Sequence, residues 1–156
     1  MEAGDVARRA KEYDGAEPLL VGARDAWARE LGEEHEKTLK AANCLANLFA
    51  ETGRMEEAEE LFRATYDARK KKLGDDHEDT LKSAGNLAIL LDETGRLDEA
   101  EELYRATYDA RKKKLGDDHP HTLKSAAPLA VLLEDTGRQE EAAARDRAAD
   151  GERAEQ

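Results

Sequence analysis

Apolar residues recur along this chain at three- and four-residue spacing, in blocks that each end at a glycine. Over residues 78–93, Leu81, Ala84, Leu87, Ala88 and Leu91 share one helical face, which predicts an amphipathic helix. Gly95 follows in Glu93-Thr94-Gly95-Arg96 and supplies the left-handed backbone on which a helix ends. A second stripe, Leu97, Ala100, Leu103, Tyr104, Thr107 and Tyr108, predicts a helix over residues 97–114. Gly116 ends that helix. Asp117 and Asp118 are acidic cap candidates for the next one, and Pro120 falls near its first helical position. Two helices joined by so short a turn form an antiparallel hairpin. No stretch supports a strand, so the expected fold class is all-α.

The pattern then repeats. Residues 61–82 recur 42 positions later as residues 103–124, with differences only at Phe62/Tyr104, Glu78/Pro120 and Asp79/His121. The same unit begins again at Leu115. A fixed period of this size means a stacked array, in which each unit buries its apolar face only against its neighbours. The expected organisation is a single array over residues 1–149: a partial N-terminal unit at 1–30, repeats at 31–72, 73–114 and 115–149, and a disordered tail at 150–156. Tyr13, Ala16, Leu19 and Leu20 stand where Met55, Ala58, Leu61 and Phe62 stand one period later, so residues 10–31 read as a second helix without its first. Either the chain is a piece of a longer array, or a turn at residues 6–9 serves as the N-terminal cap. At the other end Arg145 and Asp146 replace the Leu-Tyr pair, giving the polar face expected of a C-terminal cap. Pro128 stands mid-helix where Cys44 and Asn86 stand in earlier repeats. It removes one backbone bond and crowds the Lys124 carbonyl, at about 3 kcal/mol in a helix interior, so a kink is expected in the last repeat.

Charge follows the same plan. Each second helix opens acidic (Glu56, Glu57, Glu59, Glu60; Asp98, Glu99, Glu101, Glu102) and closes basic at 69–72 and 111–114. Both ends complement the helix dipole, by about 0.3–1 kcal/mol per exposed charge. The Arg-Lys-Lys-Lys runs therefore read as solvated helix ends and not as a nucleic-acid patch. With 39% apolar, 40% charged and 4% aromatic residues, the composition suits a thin two-layer array better than one deep core. The net charge of −12 argues against a general nucleic-acid binder and against anionic membranes. No apolar run approaches the ~20 residues needed to span a bilayer. Residues 1–5 lack the layout of a secretory signal. The single Cys44 cannot form an internal disulfide, and its alanine-rich surroundings predict a small buried thiol. The cytoplasm is the expected compartment.

The segment Gly95-Arg96-Leu97-Asp98-Glu99-Ala100-Glu101-Glu102-Leu103-Tyr104, with Leu87-Ala88 ahead of it, resembles the tetratricopeptide repeat (TPR). The 42-residue period and the linker at 115–122 are similar to the long form of the repeat found in kinesin light chains, and the likeness covers residues 16–142. HEAT and armadillo repeats share the period range but lack the Gly-Arg-x-x-Glu-Ala pattern. The resemblance implies a right-handed superhelix of helix hairpins whose first helices line a concave groove. The groove-lining set is then expected to include Lys40, Asn43, Asn47 and Glu51, then Lys82, Asn86, Ile89 and Glu93, then Lys124 and Val131. One edge carries a lysine per repeat, the other carboxylates, and the asparagines offer amides to the backbone of an extended peptide. TPR proteins that grip chaperone C-termini use five polar side chains; Asn47, Asn86 and Lys124 match, but Asn43 and Pro128 leave two of three cations absent, which counts against that role. Kinesin-light-chain-like arrays bind cargo peptides centred on an aromatic residue among acids, and the lysine row is compatible with such a partner.

No chemistry competes with binding. His35, His77 and His119 come one per repeat at the linker, which marks them as packing or capping residues. His119 and His121 flank Pro120 without metal-site spacing. There is no glycine-rich phosphate loop and no nucleophile with a base beside it. The expected protein is a monomeric interaction scaffold that takes a peptide of its partner in the groove, with no cofactor, metal or catalysis. The alternative is the repeat tail of a larger signalling or NTPase protein that acts in self-assembly.

Overall fold

A computed structural model describes residues 13–137, and over that span the chain forms six α-helices and no strand. They are α1 (Ala16–Leu31), α2 (Glu36–Glu51), α3 (Met55–Leu73), α4 (Glu78–Glu93), α5 (Leu97–Leu115) and α6 (Pro120–Asp135). The two helices predicted over 78–93 and 97–114 are thus α4 and α5, within a residue. The expected caps at 6–9 and 145–146 and the tail at 150–156 lie outside the described residues.

The punctuation between helices is local chemistry repeated. At the end of α2, Gly53 has φ +83°, its N–H donates to the Ala50 carbonyl at 3.1 Å, and Arg54 N–H donates to Phe49 at 2.8 Å. Gly95 and Arg96 repeat this after α4, with φ +80° and bonds to Asp92 and Leu91. This paired closure satisfies the last carbonyls and needs a residue without a Cβ at the left-handed position. Helix starts differ from expectation. The N-cap of α6 is His119, not Asp117 or Asp118, and Pro120 is at its first helical position. The His119 Nδ1 accepts the His121 N–H at 3.2 Å; His35 does the same for Lys37 at 3.2 Å and His77 for Asp79 at 3.1 Å. An imidazole nitrogen here does what a Ser or Asp oxygen does at most helix starts.

The chain divides into two compact units, 1–90 and 91–156. In the first, α1 packs on α2 and α2 on α3. Its core is Leu39, Leu45, Leu48 and Phe49 of α2, Ala58 and Phe62 of α3, and Leu81, Leu87 and Ala88 of α4. Leu45 and Leu87 are at most 2% exposed, and burying each such side chain stabilises the fold by about 1.5–3 kcal/mol. In the second unit α5 packs on α6, and Leu91, Ala100, Tyr104, Leu129, Leu132 and Leu133 are buried. Leu97, placed by the sequence in the buried stripe of α5, is 36% exposed because it sits in the first turn. Pro128 lies inside α6, which runs unbroken from Pro120 to Asp135. Of the second helix expected over 10–31, α1 covers Ala16–Leu31 with Gly15 as its N-cap, and it has no fully buried residue; residues 10–12 lie outside the described residues.

Candidate functional site

In the first unit, α2 and α4 bring seven of the predicted residues onto their outer surfaces. Lys40 and Lys82 are exposed, with side chains 68% and 55% accessible. Their ion pairs are long: 3.8 Å from Lys40 Nζ to Glu36 Oε1 and 3.7 Å from Lys82 Nζ to Asp79 Oδ1. Exposed pairs of this kind are worth about 0–1 kcal/mol, so both ammonium groups can change partners cheaply. Between them Asn86 Nδ2 donates to Asn43 Oδ1 at 3.0 Å, joining α4 to α2. The Asn43 amide N–H groups and the Asn86 carbonyl have no other partner among the described residues. Asn47 and Glu51 are exposed on α2, and Ile89 is 48% exposed on α4.

The remaining three are in the second unit. Glu93 is exposed in the last turn of α4, and on α6 Lys124 and Val131 are exposed, Val131 at 55%. Among the described residues no three His, Cys, Asp or Glu side chains gather as a metal site. No described helix is long and apolar enough to cross a membrane.

Two expectations are corrected. Cys44 is exposed, not buried. It neighbours Asn43 on the outer side of α2, in the register that Asn86 and Pro128 occupy in later repeats. The basic run at 69–72 is not wholly solvated either. Arg69 is buried, with its side chain 7% exposed, and the guanidinium joins three helices. Its Nη2 donates to Glu36 Oε1 of α2 at 2.7 Å and its Nη1 to Ser83 Oγ of α4 at 2.9 Å, with the Asp79 carbonyl at 3.5 Å. Arg111, one period on, is also buried, and its Nη1 donates to the His121 carbonyl. A planar fork holds five donors at fixed spacing over several acceptors, whereas the lysines beside it carry their donors on one nitrogen. Sequence reasoning missed this role, although the strict return of Arg at 69 and 111 ahead of three lysines was visible.

Arg54, of the Gly-Arg turn, ties α1 to α3. Its Nη1 donates to Glu17 at 2.8 Å, its Nε and Nη2 to Glu57 at 2.7 and 2.6 Å, and its guanidinium lies 3.9 Å from the centre of the Phe49 ring. The hydrogen bond from Arg54 holds the Glu57 carboxyl below the usual carboxylate range. Arg96 donates in the same way to Glu99 at 2.8 Å. The Gly-Arg-x-x-Glu pattern is therefore a turn glycine followed by an arginine that clamps the first turn of the next helix.

The model of the tetratricopeptide repeat family matches residues 1–70, 37–113 and 93–149. The chain is a tetratricopeptide repeat protein. Its fold class is the expected all-α TPR superhelix of helix hairpins, and its repeats are of the kinesin-light-chain-like type. A Podosopora anserina protein of nearly identical TPR-like repeats, named for kinesin light chain, has a similar structure with TM-score 0.82 and 26% identity. The match covers 97% of this chain and 74% of that one. A second structure of that protein, carrying a single methionine substitution, gives 0.81 at 26% identity, over 99% and 78% of the two chains. BtubC (BKLC) from P. vanneervenii shares the fold at TM-score 0.79 and 20% identity, over 92% of this chain and 57% of its own. No curated protein matches the sequence.

Proposed function

We propose that this TPR protein is an interaction scaffold that holds a linear peptide of its partner on the α2/α4 face. The observation that carries the reading is the Asn43–Asn86 pair. One amide keeps its donors and the other its carbonyl, side by side, which is what the C=O and N–H of an extended peptide require. Lys40 and Lys82 flank the pair with exposed cations, and Ile89 adds an apolar contact, so an acidic segment with an aromatic or aliphatic residue fits best. Asn47 and Glu51 complete the proposed set in the first unit, and in the second unit, taken by itself, Lys124, Val131 and Glu93 present the same chemistries. The reading involves no catalysis and places the protein in the cytoplasm.

The test is fluorescence anisotropy with a labelled acidic peptide that carries a central tryptophan. Lys40→Glu with Lys82→Glu is expected to weaken binding at least tenfold while leaving the helical circular dichroism unchanged. Unchanged affinity in that variant would remove the α2/α4 face from consideration.

A second reading, assembly of copies by stacking, draws on α1. Leu19 is 74% exposed, whereas Leu61, its equivalent one period later, lines a groove beside α1. Sedimentation over a range of concentrations separates the two readings, since the scaffold reading expects a monomer throughout.

A further inference from the structure

The first unit carries a second concave feature that shares no residue with the Lys40–Asn86 face. It is a groove of about 370 Å³ lined by α3, α2 and the turn at 33–34, with Arg24 of α1 at its edge. Leu39, Ala42, Leu61 and Ala68 give it an apolar surface, and charged side chains stand among them. Two of the charges are already matched: Arg24 Nη2 pairs with Asp25 at 2.6 Å and Lys71 Nζ with Glu34 at 3.0 Å. Glu33 and Asp67 are exposed, and neither has a partner among the described residues. The lining thus carries three carboxylates and two cations, and Glu33 and Asp67 are the carboxylates left without a partner among the described residues. An independent observation lies in the same lining: Thr65 is 1% exposed, and its hydroxyl has no hydrogen-bond partner among the described residues.

We propose that this groove binds an arginine-bearing linear peptide. The aliphatic stem of an arginine suits the Leu39, Leu61 and Ala68 surface, since long cationic side chains lay their methylenes on apolar ground and keep the charge in reach of water. Its guanidinium offers several fixed donors, which allows one side chain to address both Glu33 and Asp67. An acidic occupant would meet two like charges, and a purely apolar one would strip water from two unpaired carboxylates. The net charge of −12 further favours encounter with a basic segment. Thr65 adds a hydroxyl that can donate to or accept from the occupant. The chain would then hold two peptide sites of opposite preference, acidic on α2/α4 and basic here.

The probe is a short labelled peptide of alternating leucine and arginine. Its controls are the same peptide with citrulline or glutamate in place of arginine. Binding to the full chain is read by anisotropy at low salt and located by amide chemical shifts on ¹⁵N-labelled protein. The arginine peptide is expected to shift Leu39, Ala42, Thr65 and Ala68, and the citrulline and glutamate peptides to bind more weakly. Glu33→Gln with Asp67→Asn should weaken the arginine peptide about tenfold, two exposed charge pairs being lost. Ala64→Trp, which keeps every charge but fills the groove, should abolish the localised shifts while the rest of the amide spectrum is retained. Binding that survives Ala64→Trp, or shifts that spread over the acidic surface or centre on Asn43 and Asn86, would overturn the proposal. So would equal affinity in the double carboxamide variant.

Discussion

Substituting lysine for Arg69 separates two accounts of the basic run that closes α3. If the run only complements the helix dipole, lysine serves as well as arginine, because the charge is kept and the dipole contribution is about 0.3–1 kcal/mol for either. The structure predicts otherwise. Arg69 reaches Glu36 at 2.7 Å and Ser83 at 2.9 Å from opposite ends of one planar group. A lysine has its three donors on one nitrogen and cannot reproduce the fixed spacing of the two guanidinium nitrogens, so one of the two bonds is expected to be lost. Losing a hydrogen bond to a charged partner costs about 1.5–3 kcal/mol. The lower half of that range applies, because Glu36 is 35% exposed and can rehydrate, and Ser83 Oγ keeps its bond to the Asp79 carbonyl at 3.1 Å. The buried Arg69 Nε has no partner among the described residues, and its removal recovers part of the loss. Arg69→Lys is therefore expected to cost about 1.5–2 kcal/mol, against less than about 0.5 for Lys72→Met at the exposed end of the run. Urea unfolding followed at 222 nm measures both. A double-mutant cycle with Glu36→Gln should return a coupling of about 1 kcal/mol or more. Arg69→Lys within experimental error of wild type, or a cycle that closes to zero, would refute the three-helix tie.

Three further outcomes are expected. Leu87→Ala, at a residue only 1% exposed, should lose about 2–5 kcal/mol in urea unfolding, with the upper end if the surrounding helices hold their spacing. His77→Ala removes the acceptor for the Asp79 N–H and should cost about 1 kcal/mol, while His77→Asn, which keeps an acceptor, should recover most of it. Burial, the nearby Asp92 and Glu93 carboxylates and a hydrogen bond to Asp92 all push the Tyr104 phenol well above its ordinary value. The folded state then holds that proton more tightly than the unfolded chain. Its contribution to stability is complete below about pH 10 and is lost as pH rises further, and Tyr104→Phe should flatten that fall in a pH series of unfolding midpoints.

How much was legible in the sequence follows from what a repeat can and cannot report. Periodicity alone placed Leu81, Ala84, Leu87, Ala88 and Leu91 in the core, and all five are buried. Glycine at 95 and 116 marked both helix ends, because few other residues accept the backbone those positions need. The outward positions Lys40, Lys82, Ile89 and Val131 followed from the same count and are exposed, although exposure alone does not make them a binding surface. Cys44 went astray because it was judged by its neighbours and not by its register. Positions 44, 86 and 128 are one site seen three times, and a slot that accepts asparagine and proline is poor ground for a buried thiol. The histidine caps at 35, 77 and 119 were among the readings the linker position offered, but the arginine ties were hidden for another reason. Glu36, Arg69 and Ser83 are separated by 33 and 14 positions, so their meeting depends on how three helices lie together.

The same logic explains why the repeat is so uniform over the second helix and the linker that follows it. The stretch that returns unaltered at 63–77 and 105–119 contains the buried threonines, the arginine that ties the helices and the capping histidine. A stacked unit has no deep interior to absorb an error, so each joint must be rebuilt with the same parts. Across one period the middle of the outer face of the first helix changes, between a lysine and a glutamate that are kept: Asn43, Asn47 and Ala50 become Gly85, Ile89 and Asp92. Variation concentrates where the array is not holding itself together, and that is the surface on which a scaffold would distinguish one partner from another.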